Sequence, residues 1–171
     1  KNCVIAVALT SSPKTLPDAI KGDTITILHL WDVMPPTFRG FGKETRDQLL
    51  ALLEQTVYES LLIFNPETFR WEPQLATHWR IGKDSLTFFF RIDPRAKWSD
   101  GRDVTSEDVV ATYKILIDEG HGDPNTYTKY KELFEEPVAE TKYIVSVKSR
   151  KVDWRNMFTI AGLNIYPSYY L

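Results

Sequence analysis

Between Trp79 and Asp118 the chain changes its hydrophobic period once, and that change constrains the fold more than any other feature. Trp79–Ile81, the polar stretch Gly82-Lys83-Asp84-Ser85 and Leu86–Ile92 form a hairpin pattern, two β-rich runs joined by a Gly-containing loop. From Thr105 to Asp118 the apolar residues Val109, Tyr113 and Leu116 recur instead at three- and four-residue spacing, which predicts a helix. Thr105 and Asp108 stand three apart ahead of that stripe, close to a capping box, although Asp in place of Glu weakens the reciprocal bond. Asp100-Gly101 lies between the two patterns as a turn pair, because Gly accepts a positive φ without a Cβ clash. Strands and helices follow one another here without regular strand–helix–strand alternation. That order argues for an α+β fold, a mixed sheet with packed helices.

The flanking chain fits the same class. Val4–Leu9 reads as a strand ended by Thr10-Ser11-Ser12-Pro13, and Thr24–Trp31 as a second strand with β-branched alternation. Asp32–Lys43, with Pro35, Pro36, Gly40 and Gly42, is expected to be an irregular loop. Thr45–Leu62 carries one apolar stripe and is expected to be a helix, followed by a turn at Asn65-Pro66-Glu67. Pro73–Trp79 reads as a short helical turn leading into the hairpin, Gly120–Asn125 as a polar loop, and Tyr143–Ser149 as a further strand. There is no internal repeat and no low-complexity tract.

Chemistry is conspicuous mainly by exclusion. A length of 171 residues suits one sizeable domain or one lobe of something larger. Twenty-one basic against 23 acidic residues, a net charge of −2, argue against nucleic acid, which needs a clustered basic surface. The densest basic run, Lys148, Arg150 and Lys151, is too short for that role. Cys3 is the single cysteine, so no internal disulfide is available, and Lys1-Asn2 ahead of it is not a lipobox. No apolar run approaches the ~20 residues needed to span a bilayer. His29, His78 and His121 share no metal-ligand spacing. There is no nucleophile elbow or phosphate loop, and Gly40-Phe41-Gly42 lacks the third glycine of a dinucleotide fingerprint. Of the paired carboxylates Glu107-Asp108, Asp118-Glu119 and Glu135-Glu136, the first falls in the opening turn of a helix, where it offsets exposed N–H groups. No catalytic residue, metal site or cofactor is expected, and the chain does not read as an enzyme.

Three blocks carry a family resemblance. VYESLLIFNPETFRWEPQLATHW (57–79), LTFFFRIDPRAKWSDGRDVTSEDVV (86–110) and the tail YIVSVKSRKVDWRNMFTIAGLNIYP resemble, in order and spacing, the family 5 extracellular solute-binding proteins of ABC importers. Asp100-Gly101 followed by Thr105-x-Glu107-Asp108-Val109-Val110 is the most specific element. Trp98-Ser99 departs from the commoner Phe-His, and Pro35-Pro36-Thr37-Phe38 departs from the usual Leu-Asp/Asn-Pro, which leaves the solute unspecified. The resemblance implies a partial first lobe of a class II, cluster C periplasmic-binding-protein-like fold. Residues 1–43 would be its N-terminal strands and loop and residues 44–171 its remainder, with the second lobe outside this chain.

The implied function is capture of a solute, a small peptide, between two lobes by hinge closure and its delivery to a membrane permease. The implied receptor is a monomer in the periplasm or another extracytoplasmic space, with a membrane anchor as an option. The expected ligand-facing loop is Trp31–Arg39, where two prolines stiffen a segment after a strand end. Within it Asp32 would pair with a ligand amine, Trp31 would stack or pack on an apolar side chain, and Thr37 and Arg39 would offer polar contacts. The plainer alternative is that Trp31 closes the core while Pro35 and Pro36 connect two elements. Trp71, Trp79 and Trp98 read as core residues. The rival from another class is a standalone aromatic-rich carbohydrate- or peptide-binding module, which would display a flat exposed Trp/Tyr row. A degenerate enzyme domain ranks third.

Overall fold

In a computed structural model, residues 6–8, 24–26, 57–118 and 124–170 are described. Strand β1 (Ala6–Ala8) pairs antiparallel with β2 (Thr24–Thr26), Val7 opposite Ile25, at the two places where strands are expected. The rest of the expected second strand, the Asp32–Lys43 loop, residues 45–56 of the expected helix, Cys3, His29 and His121 lie outside the described residues.

The expected helix does not run on to Leu62. The chain is non-helical from Tyr58, Ser60 bridges to Asn164, and β3 (Leu62–Asn65) pairs antiparallel with β4 (Arg70–Pro73). The predicted helical turn over Pro73–Trp79 is also absent, and both corrections have one cause. The carbonyl of Leu61 accepts from the N–H groups of Gln74 (3.2 Å) and Ala76 (2.9 Å), and that of Ser60 from Leu75 (3.1 Å). The Ser60 N–H donates to the Gln74 side-chain oxygen at 3.0 Å. Backbone groups that a helix would use internally are thus consumed between two distant segments. Asn65 turns the intervening hairpin as expected, its side-chain oxygen accepting from Glu67 N–H (2.9 Å) and Thr68 N–H (3.1 Å).

Strands β5 (Ala76–Ile81) and β6 (Thr87–Ile92) form the hairpin read from the sequence, with Trp79 opposite Phe90 and Arg80 opposite Phe89. They join β7 (Val138–Thr141) and β8 (Ile144–Lys148) in an antiparallel sheet of order β5-β6-β8-β7. Phe88, Phe90, Ile92, Val145 and Val147 alternate onto one face and are buried there. Helix α1 (Ser106–Leu116) lies against β7 and β8 and buries Val109, Val110, Tyr113 and Leu116, the expected stripe. Helix α2 (Pro124–Leu133) packs beside α1; it starts within the expected Gly120–Asn125 loop, because proline at a first helical position loses only an N–H with no helical partner. Tyr113 donates its hydroxyl to the Phe134 carbonyl at 2.9 Å, fixing α1 against the end of α2. Helix α3 (Trp154–Ala161) packs on β3, and a short 3-10 turn (Ser168–Tyr170) follows. The result is the expected α+β class.

Candidate functional site

The Asp100–Asp108 segment is built around one buried carboxylate. Asp108, 2% exposed, accepts from Thr105 N–H (2.8 Å), from Ser168 N–H (2.7 Å) and from the Trp98 indole N–H (3.3 Å). The first bond is the reciprocal half of a capping box, and the shorter Asp side chain still makes it. The other two tie the start of α1 to the loop before it and to the 3-10 turn sixty residues later. Gly101 has φ +88, as its turn position predicts.

Next to this hub a cleft of about 520 Å³ opens between the 57–59 segment, the Ala96–Asp100 turn and Pro167–Tyr169. Val57, Leu75, Val104 and Trp98 supply apolar wall, and Glu59, Lys97 and Asp100 supply charge. At its rim the Tyr169 hydroxyl bonds the Asp100 carboxylate and holds it below the usual carboxylate range, which in turn raises the Tyr169 phenol. The Arg102 guanidinium lies 4.0 Å from the Tyr169 ring centroid. Asp103, behind the turn, accepts from Lys142 Nζ (2.7 Å), from Lys97 and from the Tyr143 hydroxyl (3.1 Å), and these partners hold it far below the ordinary value. Apolar walls with a few fixed polar groups can enclose a small solute without reacting with it.

The expected site residues Trp31, Asp32, Thr37 and Arg39 lie outside the described residues. The carboxylate pairs have structural partners: Glu135 with Lys148 (3.2 Å) and Glu136 with Lys114 (3.0 Å), while Glu107-Asp108 opens α1. Among the described residues no group of three or more His, Cys, Asp or Glu could hold a metal, and no helix is long and apolar enough to cross a membrane. Sequence reasoning missed Tyr169 and the wider part played by Asp108. Their partners come from segments far apart in the chain, so no local spacing signals them.

The tryptophans need one correction. Trp71, stacked on Phe158 (4.8 Å, 13°), and Trp98 both pack against the core, but Trp79 remains 36% exposed and Trp154 71%. Trp79 is opposite Phe90, on the core side of the sheet, and lies on the edge strand β5. Phe69, Phe64, Trp71, Phe158 and Trp154 touch in a chain with interplanar angles of 72°, 59°, 13° and 76°. These rings share no plane, so they do not form the flat row a sugar-stacking module requires.

The antiparallel α+β scaffold carries a part-apolar cleft of a kind suited to holding a small solute. Residues 70–169 match the bacterial extracellular solute-binding proteins, family 5 Middle, and the chain belongs to that family. It is one of binding proteins, not enzymes. The chain is 35% identical over 125 residues to a probable ABC transporter-binding protein of Deinococcus radiodurans, covering 73% of this chain and 20% of that protein. It is 34% identical over 59 residues to the dipeptide-binding protein DppE of Bacillus subtilis, covering 34% of this chain and 11% of the other. Among solved structures, the Haemophilus influenzae OppA complex with RPPGFSPFR superposes with a TM-score of 0.67 at 21% identity, covering 79% of this chain and 29% of that one. The chain thus spans about a fifth of the length of the first of these relatives.

Proposed function

We propose that the protein is the solute receptor of an ABC importer, capturing a small peptide outside the cytoplasm and handing it to the membrane permease. The observation that carries this reading is the family match across residues 70–169, the segment that builds one wall of the 520 Å³ cleft. The 34% identity to a dipeptide-binding protein supports peptide as the solute class. In this reading residues 1–43 and 44–171 are two sections of one lobe of a monomeric receptor, and the Trp31–Arg39 loop faces the ligand. Trp31 packs on an apolar ligand side chain, Asp32 pairs with its amine, and Thr37 and Arg39 add polar contacts. Closure of a second lobe supplies the desolvation that gives affinity.

Calorimetric titration of short peptides into the complete gene product tests this. Saturable micromolar binding is expected, weakened about tenfold or more by Trp31→Ala and by Asp32→Asn without a comparable loss of melting temperature. The 171-residue chain alone is expected to bind the same peptides far more weakly, since one wall leaves the ligand half solvated. Unchanged affinity in both variants would remove the loop from the site, and no response to any peptide would overturn the solute assignment.

A further inference from the structure

On the sheet face turned away from the core, the β5–β6 hairpin gathers basic side chains, among which Arg80 and Arg91 make no hydrogen-bonded ion pair among the described residues. His78 is the cross-strand neighbour of Arg91, and Arg80 that of Phe89. The Arg80 guanidinium lies over the Phe89 ring, 4.0 Å from its centroid. His78, Arg80 and Arg91 are all exposed, and with Phe89 and Ile144 they line a shallow groove of about 170 Å³. The nearby carboxylates are engaged elsewhere. Asp84 accepts from the Thr87 hydroxyl (2.6 Å) and Glu140 from the Ser146 hydroxyl (2.6 Å); Asp93 is bonded to Arg95 (2.8 Å), with Arg91 acting on it only through space. Neither arginine forms an ion pair among the described residues. Arg91 has no carboxylate across either ladder, its neighbours there being His78 and Ile144. The cluster departs from the balance of a chain whose net charge is −2.

We propose that this face is a docking surface for an acidic, extended segment of a partner protein. Guanidinium groups recognise carboxylates through paired N–H donors, and two of them on neighbouring strands favour a ligand carrying several carboxylates. Strand β5 chooses polypeptide over other anions. It is at the edge of its sheet, with no strand paired along its outer side among the described residues, and its backbone N–H and C=O groups can pair with a peptide backbone but not with a lipid headgroup. The inference does not depend on the solute assignment, because it uses neither the cleft nor the Trp31–Arg39 loop.

The test is fluorescence anisotropy with a labelled hexaglutamate peptide and the folded protein at low salt. Saturable binding that weakens as salt rises is expected, reduced at least tenfold in R80Q/R91Q. Alternate N-methylation of the peptide backbone is expected to abolish it. The charge-reversed R80E/R91E, checked for an unchanged melting curve, is expected to prefer hexalysine. Hexaglutamate binding that survives in folded R80Q/R91Q overturns the proposal, as does equal binding of the N-methylated peptide. So does capture by phosphatidylglycerol vesicles without capture of the peptide.

Discussion

At the scale of single residues, Asp108 has the largest consequence. Its carboxylate is buried and accepts three N–H bonds from Thr105, Ser168 and Trp98, so removing the charge weakens all of them together. Asp108→Asn is expected to destabilise the fold by about 2–4 kcal/mol, because an amide nitrogen must then face a donor in a site closed to water. Urea denaturation measures this, and a loss below half of that lower figure would show that the three bonds are not jointly important. Gly101→Ala is a milder case. A Cβ there would meet nothing within 4 Å, so only backbone strain at φ +88 remains, about 1 kcal/mol. The turn and the helix start were legible in the sequence because both rest on bonds within a few residues. The contacts of Asp108 to Trp98 and Ser168 were not, because chain separation hides them.

At the scale of elements, legibility followed burial. Strand β6 and α1 were readable because each buries one face, and burial forces a period on the sequence; β5 was readable through the Gly-containing loop that joins it to β6. Helix α2 and strand β7 have no fully buried residue among those whose burial is described, so neither leaves a period to read. Helix α3, which was not singled out from residue spacing, starts after Asp153, whose carboxylate accepts from Arg155 N–H at 3.0 Å. Asp153→Ala is expected to lower stability by leaving that donor uncapped, and to loosen α3 before the sheet. Hydrogen exchange resolved by residue checks both parts: amides of residues 155–158 should exchange faster while those of β6 do not.

At the scale of the whole molecule, several carboxylates lean the same way. Hydrogen bonds from Thr87 hold Asp84 at about 2, bonds from Arg95 hold Asp93 at about 2, and Lys142, Lys97 and Tyr143 hold Asp103 lower still, against an ordinary value of 3.8. A carboxyl depressed in the folded state stabilises it above the unfolded value and loses that contribution as pH falls through the folded one. The melting temperature is therefore expected to decline between about pH 4 and pH 2, and Asp103→Asn to flatten the most acidic part of that decline. Scanning calorimetry across that range decides it; a wild-type curve flat down to pH 2 would mean these bonds do not persist in solution.

The sequence by itself determined the α+β class, the hairpin, the capped helix after Asp100-Gly101 and the family resemblance. Each rests on spacing within a few residues or on an ordered set of motifs. Only the tertiary structure decided that residues 58–62 are not helical. The carbonyls of Ser60 and Leu61 are taken by the N–H groups of residues 74–76, and an apolar stripe cannot reveal which distant backbone will claim a carbonyl. The cleft beside Tyr169 and the basic face of His78, Arg80 and Arg91 belong to the same category. Both are made by residues from separate segments or neighbouring strands, and their meeting is a property of the packed chain rather than of any stretch of it.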